Sequence, residues 1–354
     1  MRMSWSRSAV LIAALLAMSA CAPATQPGGG SSTGNGAASA PQAPATPKRV
    51  VAAIPGSPTN FYQKFNLSST IRGVEELEEL VNSGFSILDA QGHSQARLAE
   101  QVPTLDNGLW KLLPDGTMET TWKIRQGAIW HDGTPVTAHD AVFAAQIGQD
   151  RDLPISRDLS YGSIQRIEEV DDHTVTVHWK APYILADQQF SPRAALPLPS
   201  HLMEQAYRAD KQSFLAQPFW ADQWVGTGPF RIAEFVRDSH MVLTANDQFV
   251  LGRPKIDQIE MRFIVDPTTM IANVMAGTVD VTVGRGTSLE QAVQVRDTWR
   301  DGKVDLAVAS FSQIFPQFIN PNPAIVANLQ FRRALLMALN RQEMVDSIQY
   351  GLVP

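Results

Sequence analysis

The stretch from Trp122 to Asp140 packs several local structural instructions into a short run. Thr120 to Ile124 alternates polar and apolar side chains, the period of a half-buried strand, and Gln126-Gly127 then supplies a turn with a residue free to take positive φ. That pattern predicts the start of a hairpin. Ile129-Trp130 gives a second short apolar run before Asp132-Gly133, a strong turn dipeptide, and Pro135 stiffens the exit, so the chain reverses twice. Thr137 and Asp140 form a capping-box-like pair, the hydroxyl accepting from the Asp140 amide and the carboxylate from the Thr137 amide. A helix is predicted to begin at Ala138.

Elsewhere the same reading predicts a strand over 48–54 and a helix over 71–81. That helix would bury Ile71, Val74, Leu77 and Leu80 and present Glu75, Glu76, Glu78 and Glu79 as a solvated face. Strict alternation over 174–179, after a turn at Asp171-Asp172, predicts a strand pair in which His173 and His178 are surface or edge residues. Asp266 as N-cap, Pro267 at the first helical position and Gly277 at the end delimit a compact helix, and 278–283 follows as a strand. Two helices meet at 330–346, where Asn340 caps the second with Glu343 three residues on.

The amino terminus changes the picture. Arg2 and Arg7 precede an uncharged apolar run over 9–17 and small residues up to Cys21, the form of a secretion signal over 1–20. The run is too short to span a ~30 Å hydrocarbon core. Met18-Ser19-Ala20-Cys21 resembles a bacterial lipobox, so Cys21, the single cysteine of the chain, is the expected lipidation site. Residues 21–47 form the tether: from Ala22 on they are only Ala, Pro, Gly, Ser, Thr, Gln and Asn, a flexible coil with a reach of about 25–30 Å.

The formal charge of −6, without a basic cluster, speaks against nucleic acid as partner. Gly28-Gly29-Gly30 has no helix after it, and no phosphate-loop or dinucleotide glycine pattern appears elsewhere, so no nucleotide or other cofactor is expected. His131-Asp132 and His139-Asp140 invite a metal reading. Their eight-residue spacing across a Pro-Val-Thr break lacks the i, i+4 geometry of a helical zinc site, and turn and cap roles are the expectation. The body contains neither a Gly-x-Ser-x-Gly elbow nor a Ser-x-x-Lys motif, so an enzyme is not expected; an envelope hydrolase or a signalling or adhesion lipoprotein is the rival reading.

Three blocks carry a resemblance. Trp130 to Phe143 reads W-H-D-G-T-P-V-T-A-H-D-A-V-F, Val225 to Ile232 reads V-G-T-G-P-F-R-I, and 330–346 reads Q-F-R-R-A-L-L-M-A-L-N-R-Q-E-M-V-D. In this order they resemble the family 5 solute-binding proteins of ABC importers, the oligopeptide-, dipeptide- and nickel-binding receptors, with His139 where that family carries Glu, Gln or Lys. The resemblance implies an α/β fold of the type II periplasmic-binding-protein class, bilobal, with mixed sheets. It places the first lobe at 48–280, a subdomain inserted at about 75–165 around the W-H-D-G-T-P segment, and the start of an incomplete second lobe at 281–354. It further implies an extracytoplasmic lipoprotein of the cell envelope, periplasmic or on the outer face of the cytoplasmic membrane and held there by a lipid anchor only. Such a receptor captures a small-molecule or peptide ligand, oligopeptides first, and delivers it to the permease subunits of an ABC importer. Metal chelates, sugars and opines are the other ligands of such a cleft. Asn66, Leu67 and Ser68 are nominated as cleft contacts, an ordinary loop being the other reading. Thr282, Gly284 and Arg285 are nominated because open α/β sheets place ligands beyond the carboxyl ends of their strands. Arg332 and Arg333 are read as salt-bridging within the second lobe, with contact to a ligand carboxylate as the alternative. Family members run considerably further, so the chain is expected to be a fragment of a longer receptor, whose residues 48–354 alone bind peptide weakly or not at all.

Overall fold

The computed structural model describes residues 47–65, 72–89, 91–284, 286–300, 322–348 and 350. The first strand, β1 (Arg49–Ile54), is apolar on both faces from Ala52 onward because it lies inside a sheet covered on both sides. Helix α1 (Val74–Val81) follows, then a short hairpin of β2 (Ser86–Leu88) and β3 (Ser94–Ala96). Strands β4 (Trp110–Leu112) and β5 (Met118–Lys123) lead to helix α2 (Ala138–Gln149), the short α3 (Ser160–Ser163), and the pair β6 (Ile164–Asp171) and β7 (Thr174–Trp179). Helices α4 (Ser200–Ala209) and α5 (Lys211–Leu215) precede the meander β8 (Phe230–Val236), β9 (His240–Ala245) and β10 (Gln258–Phe263). Next come α6 (Pro267–Met275), β11 (Val281–Thr282), α7 (Leu289–Thr298), α8 (Leu329–Ala338) and α9 (Arg341–Ile348).

Two sheets organise these elements. A five-stranded sheet in the order β11-β1-β10-β9-β8 is mixed, since β1 runs parallel to both β10 and β11 while β8, β9 and β10 are antiparallel. A four-stranded antiparallel sheet has the order β4-β5-β7-β6. The fold is α/β, as the resemblance implied. One face of the larger sheet, with Ile54, Leu243 and Met261, packs against α1 and a block of aromatics that includes Phe61, Tyr62, Phe214 and Trp220. The opposite face meets α6 through Ala53, Met270 and Val279. Trp122, Val175, Val177 and Trp179 build a separate core under the smaller sheet. Helix α2 is the wall between the two main cores: Phe143, Ala144 and Ile147 enter one, and Ala138, Ala141 and Ala145 enter the other. A helix apolar on nearly every side is stable only when covered on nearly every side, and its alanines let both cores come close.

Several local expectations hold. Gly127 takes φ 77°, α2 begins at Ala138 with its capping box, and Asp266 accepts from the Thr269 amide at 2.7 Å. Asn340 accepts from the Glu343 amide at 3.2 Å. Others are corrected. Ile129-Trp130 does not pair with β5, whose neighbours are β4 and β7; it closes its own small reversal, Trp130 N–H donating to the Thr134 carbonyl at 2.8 Å. The buried face of α1 is Val74, Leu77, Glu78 and Val81, so one of the four glutamates expected in solvent lies in the core. β7 is an interior strand, and His178 on it is only 12% exposed, bridging Glu119 at 2.9 Å and Glu168 at 2.8 Å on its two neighbours. The strand expected over 278–283 is shorter: β11 pairs over only two residues, Val281 and Thr282, with Ala52 and Ala53 of β1.

Candidate functional site

The W-H-D-G-T-P and G-T-G-P segments, far apart in sequence, are bonded to each other. His131 N–H donates to the Gly226 carbonyl at 2.7 Å, and Gly226 N–H donates to His131 Nδ1 at 3.3 Å. Nδ1 therefore carries no proton, and Nε2–H donates to the Gly228 carbonyl at 3.0 Å. Burial pushes the ring down to about 4, so it stays neutral and its two nitrogens keep these fixed roles. Arg231 adds Nη1–H to the His131 carbonyl at 2.6 Å.

Gly226 and Gly228 sit against the end of α1. A β-carbon on Gly226 would stand 1.8 Å from the Val81 carbonyl oxygen, and one on Gly228 would stand 2.5 Å from the Val81 carbonyl carbon. Thr227 between them donates its hydroxyl to Asn82 Oδ1 at 2.7 Å, and the same oxygen accepts from the Thr227 amide at 3.2 Å. The glycines thus admit backbone where side chains cannot go, as a structural turn rather than a phosphate cradle.

Asp140 does more than cap. One oxygen accepts from the Trp130 indole at 3.0 Å and the Thr137 amide at 2.9 Å; the other accepts from the Ser200 amide at 2.9 Å and hydroxyl at 2.7 Å. At 2% exposure this carboxylate ties the small reversal, α2 and the start of α4 together. Asp132 caps the Thr134 amide at 2.9 Å and pairs with His201 at 2.8 Å. His139 lies between Glu169 on β6 and Glu204 on α4, at 3.0 Å from each. Among the described residues, no group of three or more His, Cys, Asp or Glu is placed to hold a metal ion.

Of the nominated ligand contacts, Thr282 and Gly284 fall at the carboxyl ends of β1 and β11. Thr282 pairs with Ala53 across the two parallel strands and is half-buried, its hydroxyl 3.4 Å from that of Thr287. Gly284, φ 70°, abuts Gly73, φ 97°: a β-carbon on Gly284 would stand 2.1 Å from the Gly73 Cα. Gly73 is the N-cap of α1, so the start of that helix is brought to the strand ends. Asn66, Leu67, Ser68 and Arg285 lie outside the described residues, as do Cys21 and the tether. Arg332 donates to the carbonyls of Val326 at 2.9 Å and Ala327 at 2.8 Å, which fixes the entry to α8.

Three features were missed from sequence. Gly73 was readable as a glycine directly before a helical run, but its contact with Gly284, itself nominated for another reason, was not. Glu78 is buried, and burial pushes its carboxyl up to about 8 against the pull of Lys64 and the Gln63 amide; nothing in a run of four glutamates singles it out. A cleft of about 430 Å³ lies between α1 and the five-stranded sheet, lined mainly by apolar side chains such as Val50, Leu80, Ile259 and Val283, with Glu79 and Arg97 beside them. Neither Thr282 nor Gly284 lines it.

Comparison with known proteins bears on this geometry. Residues 100–353 match the model of the bacterial extracellular solute-binding proteins, family 5. Over 301 residues the chain is 26% identical to the oligopeptide-binding protein AppA of Bacillus subtilis, covering 84% of this chain and 50% of AppA. Among solved structures it is similar to an oligopeptide-binding protein of Thermus thermophilus complexed with a pentapeptide (21% identity, TM-score 0.61, 86% of this chain and 57% of that one). It is also similar to AgaA of A. tumefaciens R10 in complex with agropinic acid (21%, TM-score 0.57, 70% and 46%). These structural likenesses speak to the fold. The chain spans about half the length of the curated relatives it matches.

Proposed function

The chain belongs to the bacterial extracellular solute-binding proteins of family 5, and from that premise we propose that it is a peptide-capturing receptor of an ABC importer. The observation that carries this reading is the meeting of Gly73 and Gly284 at the carboxyl ends of the parallel strands β1 and β11, where an open α/β sheet presents its ligand site. Both glycines are buried in left-handed conformation, so the start of α1 closes directly on the strand ends there, and a peptide laid beside those ends would be recognised largely through its backbone. The relative AppA, named as an oligopeptide-binding protein, supports peptide over the opine of AgaA.

In this reading the first lobe occupies 48–280, with the inserted subdomain opening near residue 75, and 281–354 begins the second lobe. Asn66, Leu67, Ser68, Thr282, Gly284 and Arg285 contact the ligand. Cys21 carries the lipid that holds the protein at the envelope, and the permease subunits of the importer are its partners. It binds and does not turn over its ligand. Among the described residues no helix is long and apolar enough to cross a membrane, which is consistent with a lipid anchor.

Calorimetry with defined oligopeptides, agropinic acid and a nickel chelate tests ligand class. Peptide heats that vanish in Gly284→Val are expected; binding of agropinic acid alone would overturn the peptide reading. For the anchor, Cys21→Ala is expected to leave the membrane fraction and to lose palmitate labelling. Retention of both would refute it.

A further inference from the structure

Beneath α1 the polar atoms of four buried side chains have no hydrogen-bond partner: the hydroxyls of Tyr62 and Tyr161, Oε1 of Glu78, and both amide atoms of Gln189. They come from four separate segments, the loop after β1, α3, α1 and the loop before residue 190, and none exceeds 9% exposure. They also face one another. Tyr62 lies in the field of both Tyr161 and Glu78, and the Gln189 amide is close to the Tyr161 hydroxyl. The charged groups around them are Lys64, Glu75, Glu79, Asp158 and Arg193, and Lys64 donates its ammonium to the Arg193 carbonyl. Tyr161 cannot retreat, because its ring packs on Gly148 so closely that a β-carbon there would stand 2.4 Å from it.

Buried polar groups in folded proteins are almost always bonded, to protein or to ordered water. Five unmet atoms in one place are more than a chain tolerates. Internal waters typically make about three hydrogen bonds each, and these donors and acceptors lie near enough to interact with one another. We infer that Tyr62, Glu78, Tyr161 and Gln189 enclose an internal water-binding site, in which a small cluster of ordered waters bridges a protonated Glu78 carboxyl to the two hydroxyls and the amide. Burial, which holds Glu78 at about 8, supports the protonated form, an O–H donor at neutral pH. The oxygen set would suit a cation only with Glu78 ionised, which its burial disfavours, and the ammonium of Lys64 beside it would repel the cation. The waters join α1, whose N-cap is at Gly73, to α3 and the segment after residue 185, so they fasten the helix to these two segments.

Oxygen-17 magnetic relaxation dispersion on the whole protein, which counts waters held longer than molecular tumbling, tests this directly. The Tyr161→Phe/Gln189→Leu variant is expected to hold at least one fewer long-lived water than the parent, and Glu78→Gln to keep the parental number. Equal numbers in the parent and the double variant overturn the proposal. Should the double variant fail to fold, Glu78→Gln, close in shape, gives an independent reading. The infrared difference from the parent at pH 7 is expected to show one protonated-carboxyl band missing. No missing band means that Glu78 is ionised, and the proposal falls.

Discussion

The Asp140 interlock and the helix pair α8–α9 are equally well marked by local sequence, yet only the first is buried. α2 starts with a Thr137/Asp140 capping box and α8 starts with Asn328, whose side chain accepts from the Gln330 amide at 2.8 Å. In α2 eight residues are buried; in α8 none is, and Leu335, Leu336 and Met337 are 48%, 52% and 87% exposed. Caps and propensity suffice to write a helix, at a few tenths to about 1 kcal/mol each. Burial of an apolar face, at about 1.5–3 kcal/mol per large side chain, decides whether that helix is part of a core.

The largest expected separation between the two regions comes from Asp140→Ala. Four donors, two of them at the ends of the Trp130–Thr137 turn, lose a charged acceptor, and urea unfolding should show a loss of about 3–4 kcal/mol. A loss under about 1 kcal/mol would put the interlock on the level of a surface cap. Gly226→Ala follows at about 2 kcal/mol, because the neighbour it meets is the backbone carbonyl of Val81 and cannot swing away. Gly133→Ala, in open space at φ 92°, should cost only the left-handed strain of about 1 kcal/mol; equal thermal shifts for the two would mean that the close approach is not real.

His139→Gln is expected to act through pH. Its bond with Glu204, then that with Glu169, raises the imidazole above its ordinary 6.5, so the pair energy is complete below that pH and is lost as pH rises through the raised value. With the histidine side chain 40% exposed, about 0.5–1 kcal/mol is the expected difference between variant and parent at pH 5.5, shrinking toward zero at pH 8.5. A difference that grows with pH would reverse the assignment. The smallest effect belongs to the other region: Leu336→Gln and Met337→Ser should each change stability by less than about 0.5 kcal/mol. A cost equal to that of Gly226→Ala would reveal a covering surface on α8 and close the gap between the regions.

Legibility followed the range of the forces. The caps at Thr137, Asp266 and Asn340, the turns at Gly127 and Gly133 and the strand alternation over 174–179 depend on atoms a few residues apart, so a linear reading reaches them. The α1 face was read too narrowly: Val74, Leu77 and, half-buried, Leu80 meet the core as apolar spacing put them, but the helix also turns Glu78 inward toward Lys64 and the Gln63 amide, partners on another segment. The partner of the Ile129-Trp130 run could not be read at all, because a strand's period states which face is buried and not which neighbour it meets.

By itself the sequence determined several elements with their caps and turns and, through three motif blocks in order, the family. Only the tertiary structure decided that His131 is a neutral spacer between two loops, that Asp140 joins three elements, and that Gly73 and Gly284 touch at the strand ends. The physical reason is that caps and turns are satisfied by a residue's own neighbours. A buried charge or a glycine's missing β-carbon has meaning only through the atoms that the fold carries up against it, and for Gly226 that atom belongs to Val81.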